Sequence, residues 1–319
     1  MDNKNTTSFG KEGVFAAGVG AEGTYVEMPY SGIRTFLRRR TTLDLAGVDM
    51  AVFGIPFDLA TAGRSGSRMG PSALREASTH LAWGAVWPWG FDPFDRLSVV
   101  DCGDVPFQRG QSAQMYDSVT EFVREIVPTG VQTIMLGGDH SSTYPLLKAH
   151  AERHGPLSLI QFDAHRDTQE SEHLDHGTFV HHAIKDGLID PKRSVQVGIR
   201  TFYEDNDDIT VLYRDWIHRN GLNAMQDRIK DVVGDRPAYL SIDIDSLDPA
   251  YAPGTGTPVI DGLAPHDILT FLRNSNTINF VGMDLVEVAP AYDHAEITAL
   301  AGASLVLEYI CSIAAKSEV

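Results

Sequence analysis

The 319-residue chain reads as an α/β protein, with a mostly parallel sheet and helices packed on both of its faces. Three observations predict this. Short β-branched runs recur along the chain without the polar alternation of a half-exposed sheet. Amphipathic stretches of helical length lie between them. Glycine-rich or acidic clusters follow directly after several runs, where parallel sheets place their ligand crevices.

The strand-like runs are Met50–Ile55, Ser98–Val100, Thr133–Leu136 and Leu157–Phe162, then Ser194–Ile199, Ala238–Ile242 and Asn279–Met283. Helical stretches span Ser112–Val127, Ser142–His154, Thr178–Leu188, Leu222–Val233 and His266–Asn274. The last stretch, Ile297–Ala315, is apolar on most faces and is expected in the core or at a subunit contact. No internal repeat, low-complexity tract or long Pro/Ser linker interrupts the pattern. One domain over residues 41–319 is expected, after an N-terminal extension over residues 1–40.

Bulk properties narrow the function classes. The composition, 43% hydrophobic and 22% charged, is that of a globular protein with a sizeable core. No run approaches the roughly 18 uninterrupted apolar residues of a membrane helix. The segment Met1–Lys11 is polar and lacks the apolar core of a signal peptide. A net charge of -17 argues against nucleic acid or an anionic membrane as partner. Cys102 and Cys311 are the two cysteines, both in apolar surroundings, so a cytoplasmic protein without a disulfide framework is expected. Trp83, Trp87 and Trp89 form an aromatic segment without basic neighbours, expected to pack.

Three segments carry the chemistry. They are Gly137-Gly138-Asp139-His140-Ser141, Asp163-Ala164-His165-Arg166-Asp167 and Asp243-Ile244-Asp245-Ser246-Leu247-Asp248-Pro249. Each follows an apolar run. A solvated turn explains any one of them; it does not explain three at strand ends. With a period of two, Asp163, His165 and Asp167 face one way, and Ala164 and Arg166 the other. Asp243 and Asp245 likewise share a side. So many acids near one point repel one another unless cations sit between them. The candidate metal ligands are His140, Asp163, His165, Asp167, Asp243 and Asp245. Their four carboxylates balance two divalent ions, and a bridging hydroxide leaves a charge suited to a cationic substrate. Carboxylates with imidazoles favour Mn²⁺ and leave Fe²⁺, Co²⁺, Ni²⁺ and Zn²⁺ open.

These segments resemble the signatures of the ureohydrolase family, which includes arginases and agmatinases. The resemblance runs from about Ser31 to the C-terminus. It includes Gly54-Ile55-Pro56-Phe57-Asp58, Gly70-Pro71-Ser72-Ala73-Leu74-Arg75, Asp175-His176-Gly177-Thr178 and Pro253-Gly254-Thr255-Gly256-Thr257-Pro258. Val286-Glu287-Val288-Ala289-Pro290 matches as well. Ala60-Thr61-Ala62-Gly63-Arg64-Ser65-Gly66 and Ala289-Pro290-Ala291-Tyr292-Asp293 lean toward the bacterial agmatinase branch. The resemblance implies a three-layer α/β/α fold around an eight-stranded, mostly parallel sheet, assembled as a homotrimer or homohexamer. It implies one Mn²⁺ on His140, Asp163, Asp167 and Asp243. A second would sit on Asp163, His165, Asp243 and Asp245, with Asp163 and Asp243 bridging.

The reaction implied is hydrolysis of a small cationic guanidino compound. Two metal ions acidify a bridging water, and the hydroxide attacks the guanidinium carbon. Asp167 would orient that hydroxide. His176 would shuttle a proton to the leaving amine, since imidazole titrates near working pH. Glu287 would bind the guanidinium N–H groups. Asp284 is expected to be less involved, and Asp248 to be structural. Gly254, Gly256 and their flanking prolines are expected to shape a loop at the pocket rim.

The loop from Thr168 to Asp175 decides the substrate tail. It lacks the Asn/Ser arrangement of arginase-like members that meets an amino acid's carboxylate and ammonium. Glu170, Glu172 and Asp175 are candidate ligands for a distal amine, as in agmatine. Arg166 stands where family members usually carry a small residue. If it reached the pocket it would favour a guanidino acid such as 4-guanidinobutyrate or 3-guanidinopropionate; the strand period directs it away. Agmatinase is the first expectation and a guanidino-acid hydrolase the alternative. A one-zinc deacylase and a non-catalytic relative are the more distant readings.

Overall fold

The computed structural model describes residues 32–108, 110–202 and 207–318, with short pieces at 19–20, 23–24 and 29–30. Most of the span read as an N-terminal extension, and Ser31, lie outside the described residues. The end of that span is part of the core: Phe36 and Leu37 are buried. The Phe36 amide donates to Asp101 Oδ2 at 2.7 Å, and the Leu37 amide to Ser78 Oγ at 2.8 Å.

Eight strands form one sheet. They are β1 (Met50–Gly54), β2 (Val99–Asp104), β3 (Gln132–Leu136), β4 (Ser158–Phe162), β5 (Val195–Ile199), β6 (Thr210–Tyr213), β7 (Pro237–Asp243) and β8 (Asn279–Val286). Their order is β2-β1-β3-β8-β7-β4-β5-β6. Every pairing within this sheet is parallel, not merely most of them. Seven strands coincide with runs expected from sequence. The eighth, β6, is a partly exposed four-residue edge strand, and its short run carries little signal.

The described residues form seven α-helices: α1 (Gly70–Ser78), α2 (Ser112–Ile126), α3 (Thr143–His154), α4 (Phe179–Lys185), α5 (Arg214–Val233), α6 (Pro265–Arg273) and α7 (Ile297–Ala314). α1 was not among the stretches expected to be helical. Its opening Gly70-Pro71 looks like a turn, yet proline suits a helix's first turn. α5 begins earlier than expected and breaks at Gly221, whose φ of 83° is left-handed.

Strand residues alternate between two hydrophobic layers, as buried parallel strands must. Met50 and Val52 of β1 join the core built on α1, α5, α6 and α7, through Leu74, Ile229, Phe271 and Val306. Ala51 and Phe53 join the core built on α2, α3 and α4, through Val119, Leu146 and Val180. This is the three-layer α/β/α arrangement. α7 is long and apolar enough to cross a membrane, with a mean hydropathy of 1.7, but it is largely buried inside the fold. Of the three tryptophans, Trp89 packs against the core and donates to Glu308 Oε1 at 2.7 Å. Trp83 and Trp87 are exposed, contrary to the packing expected of them.

Candidate metal centre and active site

The candidate residues lie at the carboxyl ends of β3, β8, β7 and β4, the four central neighbours of the sheet. Parallel strands of this kind open a crevice at that edge. After β3, Gly138 lies so close to the Phe57 backbone that a Cβ there would sit 1.7 Å from Phe57 O. Only glycine lets the chain pass and deliver His140. After β4, residues 163–167 leave the strand altogether. The period-two reading therefore gave the right side-chain directions for the wrong reason. The segment is a loop held by hydrogen bonds to Val197, Arg200, Val180 and Asp245 and by the His165 amide on Asp163, with Asp167 at a φ of 53°. Asp243 ends β7, and Ile244–Ser246 is a 3₁₀ turn, so Asp245 is also set by a turn.

Two ligand groups result. His140 Nδ1 lies 3.1 Å from Asp163 Oδ2, 3.0 Å from Asp167 Oδ2 and 3.2 Å from Asp243 Oδ2. His165 Nδ1 lies 3.1 Å from Asp245 Oδ2 and 3.6 Å from Asp163 Oδ1. Asp163 thus faces one group with each oxygen. Asp243 reaches the first group through Oδ2, while its Oδ1 accepts the Asp245 amide at 2.8 Å.

The donors fit cations. His140 Nε2 contacts Ser241 Oγ at 2.8 Å, and that hydroxyl donates to Asp284 Oδ1 at 2.6 Å. The hydroxyl proton is spent on Asp284, so Nε2 carries the ring proton and the Nδ1 lone pair faces the carboxylates. Nδ1 is buried and makes no directed hydrogen bond. A lone pair among three carboxylate oxygens is repulsive unless positive charge sits there. In the absence of cations the cluster has to take up protons instead. Burial opposes charging His165, but Asp163 and Asp245 push its pKa up to about 12. Burial and the Asp163 charge push Asp167 up to about 7.

Supporting contacts fix the ligands. Asp245 Oδ1 accepts the Ala164 amide, and Oδ2 accepts the Thr257 hydroxyl at 3.0 Å. Arg200 Nη2 donates to the Asp245 carbonyl at 2.6 Å. Asp248 accepts the amides of Ala250 and Gly262, fixing the loop as expected of it. Asp139, buried, accepts from Ala60 N and Ser141. Burial and Glu287's charge raise its pKa to about 7.

Beside the cluster stand His176 and Glu287. Glu287 occupies left-handed backbone at a φ of 63°, a conformation usual at functional sites. Its Oε1 accepts the His140 amide at 3.0 Å and contacts His176 Nδ1 at 3.1 Å. Its Oε2 is buried without a partner. A Cβ on Gly256 would lie 3.6 Å from Oε2, which places the glycine loop beside it. The Ala62 amide donates to His176 Nε2 at 2.9 Å, so the ring proton is on Nδ1 and goes to Glu287. Burial resists charging His176, but Glu287 outweighs it and lifts the pKa to about 9. The two partners pull in opposite directions: the Ala62 amide favours the neutral ring, Glu287 the protonated one.

Glu170 and Glu172 lie exposed on the loop after Asp167, apart from the buried cluster. Asp175 turns into its own loop and accepts the Gly177 amide. Arg166 is fully buried and donates to Asp207 Oδ1 and Oδ2 at 2.7 and 2.9 Å. Sequence reasoning passed over Gln161, Gln196, Ser241 and Thr257. Gln161, Gln196 and Ser241 are ordinary polar residues in apolar runs that only the sheet register brings to the ligands, and Thr257 reaches Asp245 from the glycine-proline loop.

Comparison with known proteins agrees with this geometry. The model of the Arginase family matches residues 48–311. A Chromobacterium violaceum protein named agmatinase is 50% identical over 296 residues, covering 92% of each chain. The crystal structure of a hypothetical agmatinase from Burkholderia thailandensis superposes with a TM-score of 0.90 at 50% identity, covering 93% of this chain and 96% of its own. Proclavaminate amidino hydrolase from Streptomyces clavuligerus superposes with a TM-score of 0.86 at 36% identity, covering 91% and 100%.

Proposed function

We propose that this chain, which belongs to the Arginase family of ureohydrolase enzymes, hydrolyses agmatine to urea and putrescine with two Mn²⁺ ions. The observation that carries this reading is Glu287. Its Oε1 is engaged by His140 N and His176, while Oε2 is buried, unpartnered and beside the glycine loop at Gly256. A guanidinium is a planar donor that satisfies such an oxygen in a charge-assisted pair.

His140, Asp163, Asp167 and Asp243 would hold one ion, and Asp163, His165, Asp243 and Asp245 the other. When bound, the pair supplies Lewis acidity and a water acidified enough to act as nucleophile near neutral pH. Glu287 Oε2 holds the guanidinium with its carbon toward that water. Asp167 accepts a hydrogen bond from the water and aims it. His176 takes the water's proton at Nε2, giving up the Ala62 amide, and passes it to the nitrogen that carries the aminobutyl chain. The water oxygen bonds to the guanidinium carbon, the bond to that nitrogen breaks, and the second water proton follows to the released amine, leaving urea and the protonated amine of putrescine. Glu287 steadies the imidazolium while it is charged.

For the tail, two observations favour an amine over a carboxylate. Glu170 and Glu172 are acidic and exposed on the loop after the second motif. Arg166, the group that would favour a guanidino acid, is buried against Asp207. The test is urea release by Mn²⁺-loaded protein from agmatine, arginine, 4-guanidinobutyrate and 3-guanidinopropionate. Agmatine is expected to lead in kcat/KM. A guanidino acid ahead by about ten-fold or more, roughly 1.4 kcal/mol, reverses the assignment.

A further inference from the structure

We infer that Arg166 is a positioning residue: it sets the direction of a buried amide relay that presents an N–H to Asp163. The inference rests on the metal-holding role proposed for Asp163. Arg166 Nε donates to Gln196 Oε1 at 2.8 Å. Gln196 Nε2 donates to Gln161 Oε1 at 2.7 Å and to the Arg166 carbonyl at 2.6 Å. Gln161 Nε2 donates to Asp163 Oδ2 at 2.7 Å. All four side chains are buried.

The order follows from donor chemistry. An amide side chain can present either its oxygen or its nitrogen to a neighbour, so two adjacent glutamines have two self-consistent orientations. A guanidinium has no acceptor. With Arg166 at the head, Gln196 must turn its oxygen toward it and its nitrogen toward Gln161. Gln161 must then turn its nitrogen toward Asp163. In the reverse orientation Gln196 would meet Arg166 donor to donor, and Gln161 would meet the carboxylate oxygen to oxygen. Asp207, on both Nη2 bonds, keeps the guanidinium turned away from the pocket. The relay therefore ends on a carboxylate that turns one oxygen toward each ligand group, and the amide N–H it presents fixes how that carboxylate is oriented.

Gln196→Glu tests this. The introduced carboxylate would still accept from Arg166 Nε, sharing that guanidinium with Asp207, but it cannot donate to Gln161. Mn²⁺ affinity of the chelator-stripped protein, measured by titration calorimetry without substrate, is expected to fall about 10–100-fold. The melting temperature of the metal-free protein is expected to stay within a few degrees of the parent's. The paired variant Arg166→Met/Asp207→Leu, which removes both charges together, is expected to lose affinity in the same way. A crystal structure of the parent with Mn²⁺ is expected to keep Gln161 Nε2 on Asp163. Parent-like affinity in Gln196→Glu, or Gln161 turned oxygen-first toward Asp163, overturns the relay. Parent protein that binds no Mn²⁺ at all refutes the metal assignment itself, which separates the two failures.

Discussion

The two candidate ligand groups meet at Asp163, with one oxygen turned to each, and their surroundings differ. His140 is 1% exposed, tilted against Phe179 with ring centroids 4.4 Å apart, and backed by Ser241 and Asp284. His165 is 23% exposed, and its partner Asp245 leans on Thr257 and on loop backbone. The first group is built into the sheet and the second into its rim. Supporting contacts fix ligand geometry and metal affinity, so the inner group is expected to be the tighter and the outer the more exchangeable one.

The largest effect that can break this contrast comes at the shared residue. Asp163→Ala is expected to empty both groups. Metal content should fall toward zero and urea release by about 10⁴-fold or more. Substantial activity with one retained ion would show that the groups are independent. His176→Asn probes the proton path apart from the metals. It should lower kcat by about 10²- to 10⁴-fold while metal content stays at the parent's value. A loss of metal in that variant would tie His176 to the cluster instead.

Thr257→Ala acts on the rim alone. The outer ion should weaken by about 10- to 100-fold and the inner one hold, read as two steps in a chelator titration. A single step shifted as a whole would erase the contrast. The smallest effect is expected at the substrate tail. Glu170→Gln with Glu172→Gln should raise KM for agmatine by about two- to five-fold, since exposed pairs contribute only about 0.2–1 kcal/mol, with kcat unchanged. No change would remove both residues from the tail site.

How much could be read in advance depended on sequence distance. The Asp163–Asp167 and Asp243–Asp245 ligands are neighbours along the chain, so their chemistry shows as a motif whatever backbone carries it. That is why the side-chain directions came out right although the segment is a loop and not an extended strand. The pairing of His176 with Glu287 joins residues 111 positions apart, and no local pattern encodes it. Gln161 and Gln196 stay hidden because each is a lone polar residue in a buried strand. They become informative only when β4 and β5 lie side by side in register. β6 was missed because a short edge strand with exposed residues has neither length nor periodicity to announce it.

Arg166 has one more consequence. Its side chain ends in a guanidinium, the very group this chain is proposed to cut, carried between two metal ligands in the sequence. An enzyme of this kind harbours a permanent decoy of its own substrate. Burial and the grip of Asp207 and Gln196 hold that guanidinium inside the fold, bonded away from His140 and Asp163. A group of the same chemistry as the proposed substrate thus serves as part of the scaffold behind the candidate ligands.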